Sequence, residues 1–177
     1  MPSFFSLIRD ICLLRRGPQD LPHSIPLLVS VAAAFVTLRL GLAIAAGISI
    51  GVMFAGALLW LLYTLGTLNL VLSLRGMRNR FVQAATGLLG CTLAFDVLSA
   101  PLALLLGDLP KAPTDLTALQ SAVILISAPL GIWNVIVVAH VFRRSFDIPF
   151  LSAVLLALLW IISAVALAAA VGAPSVG

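Results

Sequence analysis

Two oppositely charged residues lie deep inside long apolar segments of this chain. Arg39 lies in the first of these segments and Asp96 in the third. An ionisable group surrounded by hydrocarbon is costly, so such residues usually face a partner, a cavity or the interior of a helix bundle. The chemistry that these two residues offer is therefore an ion pair or a polar path.

The two charges are predicted to lie at the same depth. Both segments are predicted to run from the inside to the outside of the membrane. Arg39 lies about 14 residues into its segment and Asp96 about 15 into its own, so at about 1.5 Å per residue their depths agree to within one helical turn. We therefore hypothesise an Arg39–Asp96 ion pair. It could be a bridge that locks two helices or a functional pair lining a polar path; alternatively, Arg39 snorkels outwards alone.

Uncharged polar residues also enter the apolar segments, and the further candidates are Asn69, Asn134 and His140. Interhelical hydrogen bonds explain most such residues. His140 lies one helical turn before Arg143, so it is predicted to be an anchor at the membrane boundary, ahead of a proton relay. No second histidine and no carboxylate lie near it in sequence, and no metal site is predicted.

The residue sets that mark common catalytic sites are missing from the sequence. There is no His-Glu-x-x-His, no phosphate-binding glycine loop and no Gly-x-Ser-x-Gly, and none of the six acidic residues is a glutamate. An intramembrane hydrolase needs a nucleophile and a base at depth, and Asp96 alone does not supply both. We expect no catalytic residue, no cofactor and no enzymatic activity.

The elements that must position these residues are membrane-spanning helices. Of 177 residues, 62% are apolar and 9% charged, against about 25% charged in globular domains. A soluble domain could not cover its surface with so few charges. Five apolar segments of about 20 residues or more can each cross a hydrocarbon core of ~30 Å, which predicts an all-α membrane helix bundle. The predicted spans are residues 25–46, 50–73, 81–107, 117–142 and 148–171.

The segments that flank the spans are short. Residues 1–24 are predicted to form an interfacial helix and a linker, because polar residues share one face of 3–16 and apolar residues cover much of the rest. Ser24 is expected to cap the first span, with Pro26 in its first turn. The loop at 108–116 is polar, and residues 172–177 form a short tail.

The two cysteines give little indication of function. Cys12 is predicted near the cytoplasmic face and Cys91 within a span. A disulfide between them is not expected, and neither cysteine has metal-ligating neighbours in sequence.

The arginines outside the spans indicate orientation. With the N-terminus inside, the cytoplasmic segments contain eight arginines and the outside connections contain only Lys111, which is the asymmetry that sets membrane topology. An N-in, C-out protein of the bacterial inner membrane is predicted. The net charge of +4 is explained by contacts with anionic lipid headgroups, and no nucleic-acid patch is present. The eight cytoplasmic arginines are Arg9, Arg15, Arg16, Arg75, Arg78, Arg80, Arg143 and Arg144.

Three stretches carry a resemblance to a known family. They are residues 9–22 (RDICLLRRGPQDLP), 81–90 (FVQAATGLLG) with the basic turn before them, and 133–143 (WNVIVVAHVFR). With them the chain resembles the bacterial members of the Yip1 family of five-span membrane proteins. The resemblance implies a five-span bundle with a cytoplasmic N-terminus. It also implies action through partners rather than catalysis, as in the eukaryotic relatives, which work in membrane traffic.

Two functional expectations follow. The first is a non-enzymatic inner-membrane protein that scaffolds, assembles or regulates membrane partners, or that self-associates. The alternative is a small transporter or channel subunit with a polar path near Arg39 and Asp96.

Overall fold

The computed structural model describes residues 3–107 and 116–172, and these residues are helical with short connections. Two 3-10 turns, Pro18–Asp20 and Arg78–Arg80, lie in the connections. The helices are α1 (Phe4–Cys12), α2 (Ile25–Ala45), α3 (Ile50–Leu74), α4 (Phe81–Leu106), α5 (Ala118–Phe146) and α6 (Phe150–Gly172).

Five of these helices, α2 to α6, are long and apolar enough to cross a membrane. The prediction of an all-α, five-span helix bundle is therefore confirmed, and the chain is an integral membrane protein. Most of the loop predicted at 108–116, Lys111 included, lies outside the described residues, as does most of the tail.

The helix ends follow local signals in the sequence. The Ser24 side chain accepts a hydrogen bond from the Leu27 backbone nitrogen at 3.3 Å and caps α2, as expected. The α5 helix continues one turn beyond the predicted residue 142 and ends at Phe146, where Asp147 adopts a left-handed conformation with φ of 55°. Arg143 and Arg144 thus belong to the last turn of α5, where their positive charge interacts favourably with the negative end of the helix dipole.

The first half of α4 forms the centre of the bundle. Every residue of 84–92 is buried, and the helix packs against α2, α3 and α5 as well as the N-terminal segment. Small residues at Ala84, Ala85, Gly87 and Gly90 allow these neighbours to approach the α4 backbone closely.

Helix α1 rests on α4 rather than on lipid alone. Leu7, Ile8 and Ile11 are buried, and a Cβ built on Gly90 would lie only 2.5 Å from Cδ1 of Ile8. The helix is amphipathic as predicted, but part of its apolar face covers protein. It also ends at Cys12, earlier than the predicted residue 16, because the chain turns at Leu14 with φ of 61°.

Candidate functional site

The structure brings Arg39 of α2 against Asp96 of α4. Arg39 Nε donates to one carboxylate oxygen of Asp96 at 3.0 Å, and Arg39 Nη2 donates to the other at 2.8 Å. The side chains are 35% and 16% exposed respectively. This two-pronged geometry satisfies both carboxylate oxygens and uses the planar fork that arginine provides and lysine lacks.

The aromatic ring of Phe35 packs against the Arg39 guanidinium group. Arg39 Cζ lies 5.2 Å from the centre of the Phe35 ring, one helical turn earlier in α2. A cation over an aromatic face is stabilised by the quadrupole of the ring, and more strongly where water is scarce. Phe35 is itself only 1% exposed, so the arginine is held between a carboxylate and a fixed ring.

The aromatic contacts continue across the bundle to α6. Phe35 stacks on Trp60 of α3 at 4.9 Å between ring centres, and Trp60 meets Trp160 of α6 edge-on at 5.8 Å. Trp160 also stacks on Tyr63, and its Nε1 donates to Thr67 Oγ1 at 3.1 Å. Arg39 thus lies at one end of a chain of packed rings that links α2, α3 and α6.

The contact between Trp60 and Trp160 is not predicted from the sequence. A signal was present, because Trp60, Tyr63 and Thr67 recur at spacings of three and four and so share one face of α3. Their partner Trp160 is about a hundred residues away in sequence, and no local pattern identifies it.

A cavity of about 440 Å³ lies beside Arg39. Arg39 is the lining residue farthest from the Gly47 turn, and the other lining residues of α2 and α4 lie nearer to the end of the bundle. Beyond Arg39 in the other direction, Phe35, Leu89 and Val31 are packed together and buried. The cavity therefore reaches Arg39 from one end of the bundle, and none of its lining residues lies beyond Arg39. Its lining residues are Arg39, Leu42, Ala45, Ala46, Ile48, Met53, Ala103, Leu104 and Gly107.

The other polar candidates lie away from the pair. Asn69 is exposed on α3, and its backbone oxygen accepts a hydrogen bond from Ser73. Asn134 is half-buried on α5 and forms no side-chain hydrogen bond within the described residues. His140 is 5% exposed, and its Nε2 lies 2.8 Å from the backbone oxygen of Arg16. His140 therefore ties the N-terminal segment to α5, and nothing in this arrangement extends the polar site around Arg39.

The arginines outside the spans fall into different environments. Arg9 and Arg16 share Asp10, at 3.1 and 3.5 Å. Arg78 donates to Ser73 at 2.7 Å. Arg15 and Arg75 are exposed. The remaining three, Arg80, Arg143 and Arg144, line one cavity together.

The two cysteine thiols lie close together, which the sequence did not suggest. Both are free, and Cys12 packs against the buried cluster that contains Cys91 of α4. Trp133 Nε1 of α5 donates to the Cys12 backbone oxygen at 3.1 Å and fixes this end of α1.

The contacts of the Asp96 carboxylate are those of an ion pair. Among the described residues, Arg39 is the one titratable side chain that contacts the Asp96 carboxylate. No cluster of three or more potential metal ligands occurs in the part of the chain that the structure describes.

Comparisons with known proteins give no family assignment. No protein-family model, no curated protein and no solved structure matches the chain.

Proposed function

We propose that this integral membrane protein has no catalytic activity and that it scaffolds, assembles or regulates other membrane proteins. The observation that carries the proposal is the first half of α5. Across residues 118–133, Val123 is the only buried residue, and all but three of the others are exposed. The rest of the described bundle leaves most of this half-helix uncovered, so it is available to a second membrane helix.

The residue types on this half-helix suit lateral packing. Ser127 and Gly131 lie four residues apart on one face, and Ala118 and Ala122 do the same nearer the start. Small residues let helix backbones approach closely in lipid, where association depends on packing and interhelical hydrogen bonds. A membrane-protein partner or a second copy of this chain fits such a surface.

The Arg39–Asp96 pair supports this proposal because it is satisfied within the chain. Both carboxylate oxygens accept from Arg39, and the buried cluster of Val31, Phe35 and Leu89 lies beyond it. An ion pair that holds α2 against α4 requires no further partner. The alternative, a small transporter or channel subunit, is favoured by one observation, the 440 Å³ cavity that Arg39 lines.

The orientation and location belong to the same proposal. Eight arginines lie on the predicted cytoplasmic side against Lys111 on the other, which supports a cytoplasmic N-terminus and the bacterial inner membrane. The resemblance to the Yip1 family supports action through partners.

Capture of partners from the native membrane tests the proposal. The protein is cross-linked in the membrane, extracted in mild detergent, and its companions and copy number are identified. We expect a stable complex that Gly131→Leu weakens several-fold, because a large side chain on the bare face of α5 prevents close packing.

Gly66→Leu on α3 is the matched control, because a Cβ at either glycine meets no atom within 4 Å. Recovery of the wild-type protein alone and monomeric would overturn the proposal. Equal effects of Gly131→Leu and Gly66→Leu would show that α5 is not the docking surface.

A further inference from the structure

Three arginines from two distant parts of the sequence line one cavity of about 540 Å³ at the end of the bundle where α4 begins and α5 ends. Arg80 comes from the turn before α4, and Arg143 and Arg144 come from the last turn of α5. The remaining wall is mostly polar. The other lining residues are Gln19, Asn79, Gln83, Asp147, Ile148 and Pro149.

Hydrogen bonds to backbone oxygens hold the walls of this arginine cavity in place. Gln83 Nε2 donates to the backbone oxygens of Gln19 and Leu21 at 3.2 and 2.6 Å, which fixes the linker against α4. On the opposite wall, the Ile148 nitrogen donates to the Arg143 oxygen at 3.4 Å, across the left-handed Asp147 that ends α5. The cavity is thus formed by three segments, of which the linker and α4 are bonded to each other and the turn after α5 is fixed by its own backbone bond.

The charge in the cavity is unbalanced. It contains three guanidinium groups and one carboxylate, that of Asp147. Within residues 3–107 and 116–172, none of the three arginines forms a salt bridge, whereas Arg9, Arg16 and Arg39 each do. The cavity therefore has a surplus of positive charge, and the guanidinium N–H groups form no ion pair with an acid in the described part of the chain.

We propose that the arginine cavity binds the phosphate group of an anionic ligand. Guanidinium groups match phosphate oxygens with paired, charge-assisted hydrogen bonds, and the amides of Gln19 and Asn79 add neutral donors at the wall. The volume lies within the roughly 300–1,000 Å³ of small-molecule sites. The phosphate belongs either to a lipid headgroup, since basic cavities at the ends of spans suit anionic headgroups, or to a soluble phosphate ester.

Titration calorimetry on the full chain in a non-ionic detergent tests the proposal. The probes are dihexanoyl phosphatidylglycerol, glycerol 3-phosphate and, as a zwitterionic control, dihexanoyl phosphatidylcholine. We expect Arg80→Ala, and Arg143→Ala with Arg144→Ala, to weaken binding of the anionic probe by roughly tenfold or more, as expected for the loss of charge-assisted bonds.

Arg78→Ala is the matched control, because Arg78 lies in the same turn and carries the same charge but does not line the cavity. Arg78→Ala should change the affinity for the anionic probe by no more than about twofold, since an exposed charge that donates to Ser73 contributes little to the cavity. The thermal stability of each variant without ligand shows that the fold is retained.

The outcomes separate the two sources of phosphate. Binding of phosphatidylglycerol but not of glycerol 3-phosphate identifies a lipid site, and comparable binding of both identifies a soluble ester. Absence of binding to either probe overturns the proposal. Equal losses for Arg78→Ala and Arg80→Ala would also overturn it, because binding would then follow net charge alone.

Discussion

The Arg39–Asp96 pair shows how a charge is accommodated inside a membrane-spanning bundle. An isolated arginine at the centre of a membrane helix costs at least ~2.5–3.5 kcal/mol. Here the guanidinium gives two hydrogen bonds to Asp96 and lies over Phe35, so its charge is neutralised and its position is fixed. Asp96 in turn has both of its oxygens satisfied. The pair therefore joins α2 to the centre of the bundle at one defined register.

Removal of either partner should be more harmful than removal of both. Loss of one member of a buried pair costs about 3–5 kcal/mol, because the other charge is left uncompensated. Arg39 keeps 35% exposure, so we expect a smaller loss, on the order of 2 kcal/mol, for Arg39→Met or Asp96→Leu. Thermal unfolding in detergent measures this as a drop of several degrees in the apparent Tm.

The double variant Arg39→Met with Asp96→Leu is the control for that prediction. Apolar replacement of a whole buried pair is often neutral or stabilising, so the double variant should be more stable than either single variant. Additive losses in the double variant would contradict a direct pair. The exchange of the two residues, Arg39→Asp with Asp96→Arg, should also recover part of the lost stability.

At the scale of the elements, α4 determines how the N-terminal segment docks. Gly90 lies beneath Ile8 of α1, and Gly87 lies beneath Pro18 and Leu21 of the linker. These glycines leave room for the segment on one side of α4, while α2, α3 and α5 cover other sides. The N-terminal segment is thus part of the bundle rather than an appendage.

A large side chain at Gly90 should displace α1. A Cβ there already lies 2.5 Å from Ile8 Cδ1 and 3.2 Å from Cγ1, so Gly90→Leu overpacks the contact by about 1–3 kcal/mol. The proximity of Cys12 and Cys91 gives the measurement. In the wild-type protein, copper phenanthroline should join these two cysteines, which are the only ones in the chain, and so protect both from maleimide.

We expect Gly90→Leu to reduce this disulfide formation strongly and Gly66→Leu, on an open face of α3, to leave it unchanged. Adding Ile8→Ala to Gly90→Leu should restore part of the disulfide formation, because the smaller side chain leaves room for the leucine. Unchanged cross-linking in Gly90→Leu would show that α1 does not rest on this glycine.

At the scale of the whole molecule, the sequence predicts the layout of the bundle better than its lateral contacts. Composition and span length determine five helices because each must cross the same thickness of hydrocarbon, and the matched depths of Arg39 and Asp96 indicated their pairing. Other contacts depend on how the helices rotate about their axes. The Trp60–Trp160 contact, the cysteine pair and the arginine cavity each bring together residues at least 60 positions apart. The spacing of Trp60, Tyr63 and Thr67 indicates one face of α3, but the nearly uniform apolar faces of the other spans do not indicate how those helices are rotated.

The two ends of the bundle differ in kind. One end carries the arginine cavity, the linker and α1, whereas the other carries an open cavity that stops at Arg39. Between them lie the buried first half of α4 and the aromatic contacts from Phe35 to Trp160. A closed middle with different ends suits a protein that assembles with others in the bilayer more than one that passes a solute through itself.

Water accessibility on the two sides of the Arg39–Asp96 pair tests that central claim most directly. In a chain with Cys12→Ser and Cys91→Ala, single cysteines at Leu42, which lines the cavity, and at Leu89, which is buried beyond the pair, are exposed to a membrane-impermeant maleimide from each side. We predict that Leu42→Cys is labelled from one side of the membrane only and that Leu89→Cys is labelled from neither. Labelling of Leu89→Cys, or of Leu42→Cys from both sides, would contradict the account and favour a transport path.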